Sequence, residues 1–392
     1  MTTYNYGVLG AGRQGVATAY DMIMHGGGAS VLLADYNANV AKNAAARINQ
    51  LVGQQVATWQ QVDASDTDAI TAAIEGLDVF LCGTPFGYIP NATTAALRAG
   101  VSMVDYGGHT PTVLEQLKRD AEAKARGIAI VPDCGMGPGM NNTLGTYAVE
   151  LLEAEGLTPR DVFLWDGGIP QNPIPPWNYQ CAFNLNGLTN EYYGEVAVLR
   201  DGKRQMIGAF EELEPISFEG VGDLEAFTTT GGTSTAPYTF EGKLQTYLNK
   251  TCRWPGHFAQ FKAYQLLGLF ELDPVEVNGR TIVPRDVFHA LLEPHITAPL
   301  IKDICVLRAQ GIGVDASAAT RSVIIDIVDR YDETTGFTAM ERITGWHAAI
   351  MAEFIARGTV TPGAWPMEQA VAATTFMEEV RERGFAVTVR WD

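Results

Sequence analysis

The stretch that most constrains this chain runs from Tyr6 to Asp35. An apolar segment, Tyr6 to Leu9, leads into Gly10-x-Gly12-x-x-Gly15 and then into a helical run, Val16 to Met24. A second apolar segment, Ser30 to Ala34, ends at Asp35, about twenty residues after the last glycine. Strand, glycine turn, helix, strand and acid in this order describe a dinucleotide-binding unit. Gly10 permits the tight turn, Gly12 lets the backbone approach a pyrophosphate, and Gly15 lets the helix pack close to the strand. Arg13 and Gln14, within the turn, are candidate cofactor-binding residues, and the free N–H groups and positive dipole end of the helix face the phosphates. Asp35 can accept hydrogen bonds from the ribose hydroxyls and would repel a 2′-phosphate, so NAD is expected rather than NADP.

The alternation of strand and helix continues. Asn39 to Leu51 is helical, Gln55 to Thr58 extended, Asp68 to Ile74 helical, and Asp78 to Cys82 a buried strand. Asn91 to Ala99 is helical, Val101 to Asp105 a strand, Pro111 to Ala125 a helix and Ile128 to Val131 a strand. Such a pattern predicts a Rossmann-type, doubly wound parallel sheet, with ligands beyond the carboxyl ends of its strands. Three loops follow strands directly: Gly83 to Phe86, Asp105 to His109 and Asp133 to Met136. Thr84 and Pro85 can lie along a nicotinamide or belong to an ordinary proline loop. Asp63 can reach the adenine or cap the next helix.

After Asp161 the pattern changes. Asp161 to Trp165, Glu195 to Leu199, Gln205 to Phe210, Lys243 to Trp254, Asp303 to Gln310 and Arg321 to Asp329 read as strands. Helical stretches fall at His257 to Leu267, Arg285 to Leu292 and Ala339 to Arg357. This predicts an α+β domain with a largely antiparallel sheet. The expected division is a nucleotide-binding domain over 1–134 and a substrate-binding and oligomerisation domain over 135–360. A C-terminal segment, 361–392, holds a helix (Met367 to Arg383) and a strand (Ala386 to Arg390) that return to the first domain.

With 392 residues, 46% of them hydrophobic, the chain can bury two cores. The net charge of -18 argues against nucleic-acid binding; it serves solubility or draws in a cationic substrate. Five scattered cysteines with no Cys-x-x-Cys argue against a disulfide framework or zinc site and suit a reducing cytosol. No apolar run approaches a membrane span, and the start of the first strand leaves no room for a signal peptide, so a cytoplasmic protein is expected.

Two segments of the second domain carry candidate chemistry. Phe227 to Tyr238 is dense in hydroxyls and backbone donors, and Lys250-Thr-Cys-Arg-Trp-Pro-Gly-His257 ends a strand in a cation, an aromatic, a turn and a histidine. Arg253 can bind a carboxylate through two parallel hydrogen bonds or form a surface ion pair. His257 can carry a proton near neutral pH or serve the start of a helix. Tyr238 and Trp254 can line an aliphatic slot or belong to a core.

With these elements the chain resembles the saccharopine dehydrogenase family. The resemblance rests on Val8 to Gly15, Val104-Asp-Tyr-Gly-Gly108, Val131 to Gly139, Thr230-Gly-Gly-Thr-Ser-Thr235, Lys250 to His257, Thr344 to Ile350 and Pro366 to Val371. It therefore covers nearly the whole chain. Trp254, His109 and His347 stand where the family commonly has Tyr, Asn and Pro.

The chain resembles most those members that oxidise the ε-amine of L-lysine with NAD, releasing ammonia and a semialdehyde that cyclises. The resemblance also implies a small-molecule substrate and a homodimer or higher oligomer built through the second domain. Arg253 would take the substrate α-carboxylate, His257 or Asp133 would be the base with His109 the third choice, and Thr233 and Ser234 would orient the amine or carboxylate. Such chemistry calls for no metal. The rivals are a saccharopine or carboxy-polyamine dehydrogenase and a catalytically silent NAD-binding regulator.

Overall fold

The computed structural model describes residues 3–181 and 185–392. Six parallel strands build the first sheet: β1 (Tyr4–Leu9), β2 (Gly28–Asp35), β3 (Ala57–Gln61), β4 (Val79–Cys82), β5 (Ser102–Asp105) and β6 (Ala129–Val131). The second sheet uses β7 (Thr158–Pro170), β8 (Glu195–Arg200), β9 (Lys203–Gly208), β10 (Glu214–Phe218), β11 (Gly222–Thr228) and β12 (Thr246–Arg253). A small hairpin, β13 (Val275–Val277) and β14 (Arg280–Ile282), precedes β15 (Asp303–Val314) and β16 (Thr320–Arg330), and the chain ends with β17 (Gly363–Ala364) and β18 (Val387–Trp391).

The first sheet has the order β17-β6-β5-β4-β1-β2-β3, parallel throughout. Its strand order reverses between β1 and β4, the crevice where such sheets take ligands. The central strands β4, β5 and β6 are buried along their whole length, as expected for strands covered on both faces. The second sheet runs β10-β11-β12-β7-β15-β16-β18, with the β8–β9 pair attached to β12. It is antiparallel except for β7 beside β12. Helix Asn141–Ala154 packs on β7 and β15 and so covers one face.

Helix Ala339–Ala356 ties the two sheets together. Its start is unusually well satisfied: Thr338 and Glu341 form a reciprocal cap, and the Asp303 carboxylate accepts from the amides of Ala339 (2.7 Å) and Met340 (2.9 Å). It lies against the glycine-turn helix Arg13–Met24 so closely that a methyl group on Gly345 would stand 2.8 Å from Ala17 Cβ. Arg383, fully buried, joins the surrounding helices by ion pairs to Asp21 (2.8 Å), Glu353 (2.6 Å) and Glu379 (2.5 Å).

Several sequence expectations need correction. The final strand does not return to the first sheet: β18 pairs with β16, and only β17 adds an edge beside β6. The helix expected over Met367 to Arg383 is two, Met367–Ala370 and Ala373–Glu382, because Glu150 caps the amides of Ala373 and Thr374 (both 2.7 Å). The helix expected over Pro111 to Ala125 is likewise two, Thr110–Leu117 and Asp120–Arg126. β3 starts two residues later than its apolar pattern suggests, since Asn49 Oδ1 takes the amides of Val56 and Ala57 (both 2.8 Å). Strands β10 and β11 had no clear sequence signal.

Candidate active site

β1 ends at Leu9 and Gly10 turns the chain with φ 100°. A side chain at Gly10 would meet the Gly83 carbonyl oxygen at 2.7 Å, and one at Gly15 the Gly10 carbonyl oxygen at 2.2 Å. At Gly12 nothing lies within 4 Å. Two glycines thus lock the turn against its neighbours, and the third faces open space at a helix N-terminus, which fits a pyrophosphate. Asp35 Oδ2 accepts from the Ala11 amide (3.0 Å) and Oδ1 from the Asn37 amide (2.9 Å). The acid therefore braces the glycine turn from the end of β2. These residues fit a nicotinamide dinucleotide.

The remaining residues expected at this end divide. Arg13 pairs through Nε with Glu341 at 2.6 Å, and Gln14 is partly buried in the same first turn. Thr84 Oγ1 contacts the Cys82 thiol at 3.2 Å and Pro85 is exposed. Asp63 is exposed and gives one oxygen to the amide (2.8 Å) and hydroxyl (2.7 Å) of Ser65, a turn brace rather than a helix cap. The cap of the following helix is Asp66.

At the carboxyl ends of β5 and β6 lies the first chemical cluster. Asp133 is 1% exposed and holds a left-handed backbone, φ 65°. Its Oδ2 accepts from the Ser234 hydroxyl at 2.5 Å, and its Oδ1 faces the Gly108 amide at 3.4 Å. A side chain at Gly107 would occupy the space of the Asp133 carboxylate. Burial, with the nearby Asp105 and Glu368 carboxyls, pushes the Asp133 acid up to about 8 against the Ser234 hydrogen bond. Burial raises Asp105 to about 6. Glu368, from the C-terminal segment, accepts from Thr235 (2.9 Å) and Thr239 (2.5 Å), next door to Ser234.

The second cluster sits at the end of β12. Arg253 is 2% exposed, with its guanidinium 5.3 Å from the Tyr179 ring and 5.9 Å from the Tyr192 ring. Nε donates to the Tyr192 hydroxyl (3.0 Å) and Nη1 to the Cys252 carbonyl (3.0 Å), while Nη2 stands 3.4 Å from Glu191 Oε2. One N–H on each Nη is left for a planar anion. Tyr192, which accepts from Arg253, also meets His257 Nε2 at 2.9 Å, while His257 Nδ1 is buried with no hydrogen-bond partner.

His257 is 1% exposed, stacked on Phe261 at 4.0 Å, and meets the Tyr192 hydroxyl through Nε2. Burial and the Arg253 charge hold its pKa well below 6.5. It steadies Arg253 through Tyr192. His109 begins a helix, bonds Thr112 through Nδ1 (2.8 Å) and stacks on Phe86 at 4.3 Å.

Thr233 gives its hydroxyl to the Ala197 carbonyl (2.9 Å), so it shapes the loop and does not face the Asp133 carboxylate as Ser234 does. Tyr238 is 40% exposed under the Arg204 guanidinium (4.1 Å) and lines no slot. Trp254 Nε1 donates to the Pro170 carbonyl at 3.0 Å. His347 bonds Thr143 at 3.0 Å in the core, where burial drives its pKa to about 3. Sequence reasoning missed Asp166, Glu191, Tyr192 and Glu368, none of which lies in a recognisable spacing. Among the described residues no group of His, Cys, Asp and Glu is arranged to hold a metal ion, and no helix is long and apolar enough to cross a membrane.

Comparison with known proteins gives a consistent result. The family model for the saccharopine dehydrogenase NADP binding domain matches residues 6–131, and that for the saccharopine dehydrogenase C-terminal domain matches residues 135–385. A saccharopine dehydrogenase (NADP+, L-glutamate-forming) of Pyricularia oryzae is 22% identical over 153 residues, 38% of this chain and 33% of the relative. The match thus spans about a third of that relative's length. The fold is similar to that of the apo saccharopine dehydrogenase (L-Glu forming) of Saccharomyces cerevisiae, with TM-score 0.81, 17% identity and coverage of 99% of this chain and 100% of that one. It is also similar to the NAD-bound homospermidine synthase of Legionella pneumophila, with TM-score 0.66, 11% identity and coverage of 100% and 92%.

Proposed function

The chain belongs to the saccharopine dehydrogenase family, and on that premise we propose that it is an NAD-dependent lysine 6-dehydrogenase. In this reading it oxidises the ε-amine of L-lysine to an iminium, whose hydrolysis releases ammonia and the semialdehyde; the semialdehyde then closes to 1-piperideine-6-carboxylate with loss of water. The observation that carries the reading is Asp133. A buried acid pushed up to about 8 stands at the nucleotide end of the cleft, suited to take a proton from an ammonium under mildly alkaline conditions.

Gly10, Gly12, Gly15 and Asp35 hold the dinucleotide, with Arg13 and Gln14 at the helix start and Thr84 and Pro85 toward the nicotinamide. When bound, NAD supplies the hydride acceptor for the ε-carbon. Asp133 removes the proton that leaves the ε-nitrogen lone pair free, and Ser234 fixes the carboxylate that does so. Arg253 anchors the α-carboxylate with the N–H groups left on its two Nη atoms. Water then attacks the oxidised carbon. Asp133, having passed its first proton to solvent, accepts one from that water and returns it to the nitrogen, which leaves as ammonia as the aldehyde forms.

Homodimerisation, or higher assembly, is proposed through the second sheet, where Phe163, Trp165, Leu248, Lys250 and Gln310 line a hollow of about 270 Å³. Light scattering on the purified protein tests it. A cytoplasmic setting accompanies the reading, and cell fractionation tests that.

The deciding experiment adds NAD and L-lysine and follows NADH absorbance. Turnover with L-lysine alone supports the reading. Turnover only with saccharopine, or with an amine and a carbonyl compound together, would move the chain to its rivals. No turnover with any of them would leave a cofactor-binding regulator.

A further inference from the structure

We propose that Glu191 and Asp166 receive the α-ammonium of the substrate while Arg253 takes its α-carboxylate, the three side chains forming one site for a zwitterionic amino-acid head. The inference rests on the reading above and deepens it, since it assigns the ammonium half of the head to two acids.

The charge count at Arg253 is the starting point. One guanidinium is faced by two carboxylates. Glu191 Oε2 stands 3.4 Å from Nη2, and Asp166 lies on β7 opposite Thr251, two residues before Arg253 on β12. A closed charge-assisted hydrogen bond has a length of about 2.7–2.9 Å, so Glu191 is near the guanidinium without being locked to it. With both acids ionised the cluster carries one net negative charge. A lone carboxylate entering would meet two others. A zwitterion adds no net charge and sets its ammonium against the two acids while its carboxylate meets Arg253.

Unsatisfied atoms mark where the ammonium goes. Asp166 is 6% exposed, and its Oδ1 is buried with no hydrogen-bond partner. Asn141 Oδ1, a second acceptor, is likewise buried and unpartnered; Asn141 Nδ2 donates to Asn249 Oδ1 at 2.7 Å, and the Asn249 amide nitrogen lies toward the Asp166 carboxylate. Glycine backbone packs directly against these side chains: at Gly137 a Cβ would lie 2.7 Å from Asp166 Oδ2, and at Gly232 it would lie 2.0 Å from Asn249 Nδ2. Buried polar atoms are normally paired, and an ammonium offers three N–H donors to carboxylate and amide oxygens.

The cluster also opens onto the reaction cleft. The Glu191 side chain keeps 32% of its surface exposed. Its carbonyl accepts from the Thr230 amide at 2.9 Å, and at Gly231, the next residue, a Cβ would be 3.7 Å from the Gly108 carbonyl oxygen. Glu191 therefore stands where the hydroxyl-rich loop meets the carboxyl end of β5, and the same loop carries Ser234 to Asp133. Burial raises both acids, Asp166 to about 6 against a hydrogen bond from Asn249 and the Arg253 charge, and Glu191 to about 7 against the Arg253 charge. An arriving cation favours their ionised forms.

Calorimetric titration of the protein held with NADH, which offers no hydride acceptor, tests the site with three probes. L-Norleucine carries the complete head, hexanoate lacks the ammonium, and pentylamine lacks the carboxylate. The wild type should bind L-norleucine about tenfold or more tightly than either of the others. Glu191→Gln and Asp166→Asn, both isosteric, should each weaken L-norleucine about tenfold and leave hexanoate unchanged or tighter. Melting temperatures establish that the variants are folded. Failure of the wild type to prefer L-norleucine, or undiminished binding by both folded variants, would overturn the proposal. NADH formation from L-lysine is read separately, so an enzyme that does not oxidise lysine but shows this head selectivity refutes the activity and keeps the site.

Discussion

Ser234 and Asp133 meet at 2.5 Å with both backbones in the left-handed region, φ 41° and 65°. Each non-glycine residue there costs about 1–2 kcal/mol, and strain of this kind concentrates at functional sites. The two residues come from opposite sheets. Their hydrogen bond therefore fixes the loop of the second sheet over the carboxyl end of the first.

Asp133 sets the first prediction. Its base form appears as pH rises through about 8, so kcat/KM for L-lysine should climb with an inflection near that value. Asp133→Asn should lower kcat roughly 10²–10⁴-fold while NAD binding is nearly unchanged. Stability has the opposite sign. The folded pKa lies above the ordinary 3.8, so the contribution of this acid is fully present below 3.8 and is lost as pH rises through about 8. Urea melts at about pH 5 and about pH 9 should show Asp133→Asn gaining on the wild type at the higher pH. A variant with wild-type turnover would remove Asp133 from the chemistry.

Asp35 sets the second. NAD should outperform NADP, and Asp35→Ala should narrow the gap. Loss of a charged hydrogen-bond acceptor should cost about 1.5–3 kcal/mol of NAD affinity, measured by fluorescence titration. The carboxylate also braces Ala11, so affinity for both cofactors should fall somewhat. Equal use of NAD and NADP by the wild type would reject the assignment.

Arg253→Lys is the third. A point charge cannot supply both the Nε contact to Tyr192 and the planar fork, so kcat/KM for L-lysine should drop markedly. Cadaverine, which lacks the carboxylate, should be a far poorer substrate than lysine for the wild type and only slightly poorer for the variant. The same lysine-to-cadaverine ratio in both proteins would make Arg253 purely structural.

The fourth concerns Arg383. Its guanidinium is buried among Asp21, Glu353 and Glu379. Arg383→Met would leave Asp21 to His25 and Glu353 and Glu379 to Arg357 alone, and should destabilise the fold by about 3–5 kcal/mol, read from urea denaturation. A loss below about 1 kcal/mol would mean that water reaches the acids in the folded protein.

Much of this architecture was legible in the sequence because local chemistry decided it. The glycine turn, the acid ending β2 and the buried strands of the first sheet follow from short-range spacing. The Asp133 and Ser234 segments were also visible, as loops after a strand and within a hydroxyl-rich run. What was not legible depends on partners far along the chain. His257 reads as a proton carrier from its place after a turn, and only the fold shows it buried beside a Tyr192 that Arg253 also meets. Asp166 and Glu191 look like ordinary acids in a strand and a helix until β7 and β12 bring them beside Arg253. The destination of β18 was equally hidden, since an alternating edge strand fits either sheet.

The close fit of Ala17 against Gly345 also bears on how the protein is made. Helix Arg13–Met24 is synthesised early, but the helix that covers it follows far later; Arg13 and its partner Glu341 are 328 residues apart. Until then the side of the helix at Ala17 and Thr18, which Gly345 approaches, has no permanent cover. The cofactor-binding half must wait on the ribosome with an apolar flank bare, a state prone to self-association and a natural client for chaperones. A fragment ending near residue 134 would stay in that state, so a soluble minimal cofactor-binding piece would have to carry residues 339–356 as well.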